Sequence, residues 1–91
     1  MTTVYRRSPS IEMAPLQDET ILFNPEKNQF CVLNRTASFI WNHLTGPTTT
    51  DHLASKICAS FSGVSPAVAL RDTESAVKEM LAMNFVVGDS K

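Results

Sequence analysis

An excess of charge of either sign is the first thing this sequence lacks. Its 91 residues carry 8 Lys and Arg against 9 Asp and Glu, a net charge of −1. The bases Arg6, Arg7, Lys27, Arg35, Lys56, Arg71, Lys78 and Lys91 are scattered, and only Arg6-Arg7 are adjacent. A dedicated nucleic-acid binder carries a basic excess, so that class is disfavoured. Cysteine is scarce as well. Cys31 and Cys58 make no disulfide framework and read as reduced, partly buried thiols of a cytoplasmic protein. The three glycines are isolated from one another, which excludes a glycine-rich phosphate loop. No apolar run approaches the roughly 18 residues that a membrane span needs. The N-terminal stretch MTTVYRRSPS has no apolar core, so no export signal is expected.

What is present is enough for one small globular domain. Apolar residues make up 43% and charged residues 19%, a balance that can build a core and excludes a disordered chain. Residues 1–10 are polar and predict a flexible arm. Residues 11–16 (IEMAPL) form a weak strand that Pro15 confines to a sheet edge. Residues 19–23 (ETILF) read as a buried strand and residues 29–33 (QFCVL) as its partner. Between them NPEKN makes a turn, with Pro25 suited to its second position and Asn28 to a left-handed one. Residues 20–33 are therefore expected to form a hairpin.

Helical periodicity then takes over. Asn34 can cap a first helix over residues 35–44, whose buried stripe is Ala37, Ile40, Trp41 and Leu44. Gly46-Pro47 ends it. Thr49 or Thr50 caps a second helix, with Asp51 in its first turn and a stripe of Leu53, Ala54, Ile57, Cys58 and Phe61. Ser65-Pro66 is a cap followed by proline at the first helical position. That third helix runs to about Met83, with Leu70, Val77, Met80 and Leu81 inside and Asn84 in a left-handed closing role. Phe85, Val86 and Val87 pack back on the core, and residues 88–91 are a tail. Strands first and helices afterwards predict an α+β fold, a small three-stranded antiparallel sheet followed by three helices, occupying residues 11–87.

Chemistry is harder to find. His43 and His52 fit no zinc spacing and have no flanking acidic or thiol pair. Cys31 lies mid-strand between Phe30 and Val32, a poor place to activate a thiolate. Asp72, Glu74 and Glu79 share one helix and read as a solvated face. No catalytic residue, metal site or cofactor is expected. A short sheet must have edges, however, and a free edge beside a helix can dock an extended peptide by strand addition.

The segments ILFNPEKNQFCVLN, TASFIW, LTGPTTTDHLA and RDTESAVKEMLAMNFV carry a likeness across residues 20–85. Leu33-Asn34 ends the second hairpin strand, Ala37 and Ile40-Trp41 open the helix, Leu44, Gly46 and Thr49 mark the loop, and Asp72 lies in the last helix. In order and spacing this resembles the PqqD-like family, the peptide-binding domains named after pyrroloquinoline-quinone biosynthesis protein D and also called RiPP recognition elements. Asn28 and Asn84 stand where that family often has glycine. Both are positions where asparagine tolerates a left-handed backbone.

The resemblance implies a winged-helix-like domain that binds the leader segment of a ribosomally made precursor peptide. The leader would add as a strand beside Gln29–Leu33 and rest on the third helix. It would then be presented to a maturation enzyme, a radical SAM protein or, for lasso peptides, a leader peptidase. On this chain the implied site is Gln29, Phe30, Cys31, Val32 and Leu33 with Arg71, Asp72, Ser75, Ala76, Glu79 and Met83. Two other functions compete with it. A DNA-binding winged helix would need a basic start to its recognition helix, and neither TTTDHLASK nor SPAVALRD supplies one. A purely structural enzyme subunit would have no peptide groove.

Overall fold

The computed structural model describes residues 3–90. In chain order the elements are β1 (Thr3–Arg7), β2 (Glu12–Leu16), β3 (Glu19–Asn24), β4 (Gln29–Leu33), α1 (Arg35–His43), α2 (Thr50–Ser60), α3 (Pro66–Ala82) and β5 (Val86–Ser90). The α+β order and the three-stranded antiparallel sheet, β2-β3-β4, are as the sequence predicts. Leu22 faces Cys31 and Thr20 faces Leu33 across the β3–β4 hairpin. Its turn is held by Asn24 Oδ1, which accepts from the amides of Glu26 (3.0 Å) and Lys27 (3.4 Å). Asn28 closes it at φ 53°, a left-handed conformation that asparagine tolerates.

Each helix starts on the predicted cap. Asn34 Oδ1 accepts from Ala37 N at 2.8 Å, Thr49 Oγ1 from His52 N at 3.2 Å, and Ser65 Oγ from Val68 N at 3.3 Å. These bonds satisfy amides that a helix N-terminus otherwise leaves unpaired. At the far end of α3, Asn84 takes φ 65°. Phe85 N then bonds Met80 O at 2.9 Å and turns the chain back onto the core.

The core lies between the inner face of the β2-β3-β4 sheet and the helices, with Leu22, Ile40, Trp41, Leu44, Leu53 and Phe85 at its centre. The stripe of α3 is shifted from the predicted one. Ala69, Thr73, Val77 and Met80 are buried, while Leu70 and Leu81 are only half-buried. Spacings of four, four and three follow a helical face more closely than the size of the side chains does. Thr73 is fully buried, and its Oγ1 has no hydrogen-bond partner among the described residues. An unpaired buried hydroxyl costs about 1–3 kcal/mol. Thr73→Val keeps the shape and removes the hydroxyl, so a urea melt should show a gain of about 1 kcal/mol or more. A loss of stability would mean that the hydroxyl is satisfied after all.

The two ends of the chain differ from expectation. The predicted flexible arm contains β1, and the predicted tail contains most of β5. These strands pair antiparallel as a second sheet, with Thr3 opposite Ser90 and Arg7 opposite Val86. Residues 1, 2 and 91, the outermost parts of that arm and tail, lie outside the described residues. The pairing is held by contacts between segments distant in sequence. Tyr5 exchanges backbone bonds with Thr48 at 2.7 and 2.9 Å, and its ring packs over Gly88. A Cβ on Gly88 would meet that ring at 3.0 Å, so a larger residue there would push the Tyr5 ring aside by a few tenths of an ångström. Arg7 reaches the C-terminal turn of α1. Its Nε and Nη2 donate to Trp41 O at 3.2 and 2.6 Å, and its guanidinium lies 4.5 Å from the Trp41 ring centre. A cation there meets both the negative end of the helix dipole and the face of the ring.

Candidate functional site

Register settles which backbone groups of the three-stranded sheet are free. A two-residue loop, Gln17-Asp18, joins β2 to β3, with Gln17 at φ 43°. Such a loop closes on a hydrogen-bonded pair, here Leu16 and Glu19. Alternation along an antiparallel ladder then sends the polar groups of Glu19, Ile21 and Phe23 toward β2 and those of Thr20, Leu22 and Asn24 toward β4. On β4 it follows that Gln29, Cys31 and Leu33 bond to β3, while Phe30 and Val32 direct theirs to the open edge. The same count points the nitrogen of Pro15 away from β3, where its missing N–H breaks no ladder bond. Pro15 also blunts the β2 edge against strand addition. The β4 edge has no such block, and none of its residues is charged.

Side chains on β4 alternate with the backbone. Leu33 is buried and Cys31 half-buried on the core side. Phe30 and Val32 are 65% and 60% exposed on the outer face. There Phe30 packs against Phe23, its cross-strand partner, at 4.5 Å between ring centres.

Beyond the free edge lies α3. Asp72, Ser75, Ala76 and Glu79 fall at helical spacing on one side of it, and they line a cavity of about 300 Å³ with Asn34, Thr36 and Ala37. A narrower cavity of about 110 Å³ adjoins it, bounded by Cys31, Val32 and Leu33 of β4, by Ala76, Glu79 and Met80 of α3, and by Asn34 and Ala37. Together they form one groove with β4 as one wall and α3 as the other. The start of α1 is its floor, and that floor is firmly fixed. Asn34 caps α1, and Ser38 Oγ donates to Leu33 O at 3.1 Å across the strand–helix junction. The Cys31 thiol is pushed up from its ordinary pKa, first by burial and then by the charge of Glu79. A protonated thiol is a poor nucleophile, which agrees with an inert groove wall.

Of the residues singled out from sequence, Cys31, Val32, Leu33, Asp72, Ser75, Ala76 and Glu79 come together here. Four others do not line the groove. Phe30 turns its ring to the outer face of the sheet. Gln29 sits at the turn end of β4, with Oε1 buried and no hydrogen-bond partner among the described residues. Arg71 is exposed, and its Nε lies 4.0 Å from Asp72 Oδ1. Met83 follows the end of α3 as its C-cap and packs on the core. Asn34, Thr36, Ala37 and Met80 were missed, because the groove has a third side, the start of α1, that the strand and helix patterns do not announce. The signal that could have found Ala37 and Ala76 is their small size, which leaves room between α1 and α3.

Elsewhere, His43 stacks on Phe39 with Nδ1 2.9 Å from Phe39 O, and His52 is exposed. No group of three or more potential metal ligands is found among the described residues. No described helix is long and apolar enough to cross a membrane.

Two solved structures share this fold. One is TbiB1 in complex with the TbiA(beta) leader peptide, at TM-score 0.82 and 21% identity, covering 94% of this chain and 99% of that one. The other is lasso peptide synthetase B1 complexed with the leader peptide, at TM-score 0.78 and 20% identity, covering 91% and 96%. No curated protein matches the chain. Residues 19–86, from the start of β3 to the start of β5, match the family described as Coenzyme PQQ synthesis protein D (PqqD). The hairpin, the capped α1 and the α3 wall all fall within that span, and the chain belongs to the PqqD family.

Proposed function

We propose that this protein is a non-catalytic chaperone for a ribosomally synthesised precursor peptide. It binds the leader segment by strand addition to β4 and presents the rest to a maturation enzyme. The observation that carries this reading is the open β4 edge beside the α3 groove, with the amides of Phe30 and Val32 turned outward. Support comes from the two solved structures of the same fold, both recorded with a leader peptide. The lasso peptide synthetase among them favours a leader peptidase over a radical SAM protein as the partner enzyme. A peptide made on the ribosome is first met in the cytoplasm, which supports a cytoplasmic site for the work. The guest would lie along Gln29–Leu33 and bond the backbone of Phe30 and Val32, and its side chains would meet Asp72, Ser75, Ala76 and Glu79. Arg71 and Met83 lie at the margins of that surface. No residue of the groove needs a cofactor or a metal for this task.

A site of one strand and one helix buries little area, so affinity rests on main-chain bonds and a few anchors. Leader binding in the nanomolar to micromolar range is expected, roughly −12 to −8 kcal/mol. The test is fluorescence anisotropy with the labelled leader of a precursor peptide, sought first among the genes neighbouring this protein's own. Ala76→Arg fills the groove from the α3 side, where Ala76 is only half-buried, so the fold should survive. Binding should weaken at least tenfold, about 1.4 kcal/mol. Unchanged affinity in a folded Ala76→Arg protein would place the leader somewhere else.

A further inference from the structure

We propose that the groove selects its guest by charge and by alternation. It takes an extended peptide with a lysine or arginine on the groove-facing side, set against Glu79 and Asp72, and apolar residues at the two adjoining positions, beside Phe30 and Val32. This rests on the leader-binding reading and adds the chemical class of leader that fits.

The lining carries the argument. Among the described residues, the charged side chains bordering the two cavities are Asp72 and Glu79, both acidic. The chain as a whole is nearly neutral at −1, so this negative surface is local. Neither acid is firmly engaged. The Arg71 Nε to Asp72 Oδ1 distance is 4.0 Å between two well-exposed side chains, a contact worth little in water. Glu79 forms no ion pair among the described residues. Its charge nevertheless reaches the groove wall, since it helps to hold the Cys31 thiol protonated.

Shape adds a second constraint. The narrow cavity is about 110 Å³, with Ala37, Ala76 and Met80 making it apolar and Glu79 at its border. A long aliphatic stem ending in a cation suits that combination, because the stem covers apolar surface while the head reaches the carboxylate. On the opposite face, an added strand would bring its alternate side chains to about 5 Å from Phe30 and Val32. Exposed apolar residues on an uncharged edge strand invite unwanted pairing. Their presence here is explained if a guest strand with apolar residues at those positions covers them.

The test uses the full chain and a random dodecapeptide library displayed on phage, selected on the wild type and counter-selected on Val32→Pro, which closes the open edge. Recovered peptides should be enriched in lysine or arginine flanked on both sides by apolar residues. The tightest of them, made synthetically, should lose at least fivefold in affinity, about 1 kcal/mol, when the base is changed to glutamine. It should lose as much against Glu79→Gln. Selection on Glu79→Lys should shift the preference toward acidic residues. In the free protein, Glu79→Gln should speed alkylation of Cys31, followed by mass spectrometry at one mildly alkaline pH. Peptides that need the open edge but show no basic preference, or that bind Glu79→Gln equally well, would overturn the charge reading and leave leader binding at β4 intact. If no peptide prefers the wild type to Val32→Pro, the edge itself is not the site, and both readings fall.

Discussion

Replacing Trp41 by alanine is expected to cost about 3–5 kcal/mol, a large share of the 5–15 kcal/mol that holds a typical domain together. Trp41 is 1% exposed and stands at the crossing of every layer. Its indole lies in the core shared by the β2-β3-β4 sheet and the three helices. Its Nε1 donates to Met13 Sδ at 3.1 Å, which fastens the edge strand β2 to α1. Its ring takes the Arg7 guanidinium and its carbonyl accepts two bonds from the same side chain, so the terminal sheet is held through it as well. Alanine keeps only the carbonyl. The cavity left behind cannot collapse without moving elements from both sheets, so the cost should fall at the upper end of the range. Trp41 is the only tryptophan, which makes the variant silent in tryptophan fluorescence, and circular dichroism in a denaturant series is the measurement to use. A loss below about 1 kcal/mol would mean that Trp41 does not knit the layers.

The second large effect concerns the open edge. Val32→Pro should reduce leader affinity at least tenfold, about 1.4 kcal/mol, while the domain stays folded. Proline removes the Val32 N–H, which points away from β3, and places its ring where a guest carbonyl would approach. Phe30→Pro should act in the same way. Cys31→Pro is the control with the opposite phase. Cys31 pairs with Leu22 inside the hairpin, so proline there should damage the ladder and lower stability. Binding by anisotropy and folding by circular dichroism, measured on all three proteins, separate the outcomes. If the Phe30 and Val32 variants bind the leader as well as the wild type does, the backbone of β4 takes no part in recognition.

Why some of this was legible in the sequence and some was not follows from the range of the interactions. Asn34, Thr49 and Ser65-Pro66 each act within one helical turn, and each helix begins where its cap predicts. Asn28 and Asn84 take positive φ for the same local reason. The β1–β5 pair was missed because neither strand carries its own signal. TVYRR is short and half polar, VVGDS ends in turn-forming residues, and their register depends on partners 79 to 87 positions away. The groove was partly legible. Asp72, Ser75, Ala76 and Glu79 share a helix face by periodicity alone. The outward amides of Phe30 and Val32 required the register of β2 on β3, which no residue of β4 encodes. Asn34, Thr36 and Ala37 were overlooked because small residues at a helix start look the same whether they face solvent or a groove.

The pairing of Thr3 with Ser90 has a practical corollary. It brings the two ends of the described chain to adjacent positions in a sheet, about 5 Å apart. They lie in the sheet that Arg7 ties to the C-terminal turn of α1, whereas the groove opens at the N-terminal end of that helix. A short linker can therefore join the ends, and new termini can be opened in an exposed loop such as the one around Gly63, yielding a circular permutant with the docking edge untouched. The same layout lets a partner domain be spliced to either end without covering the β4 edge.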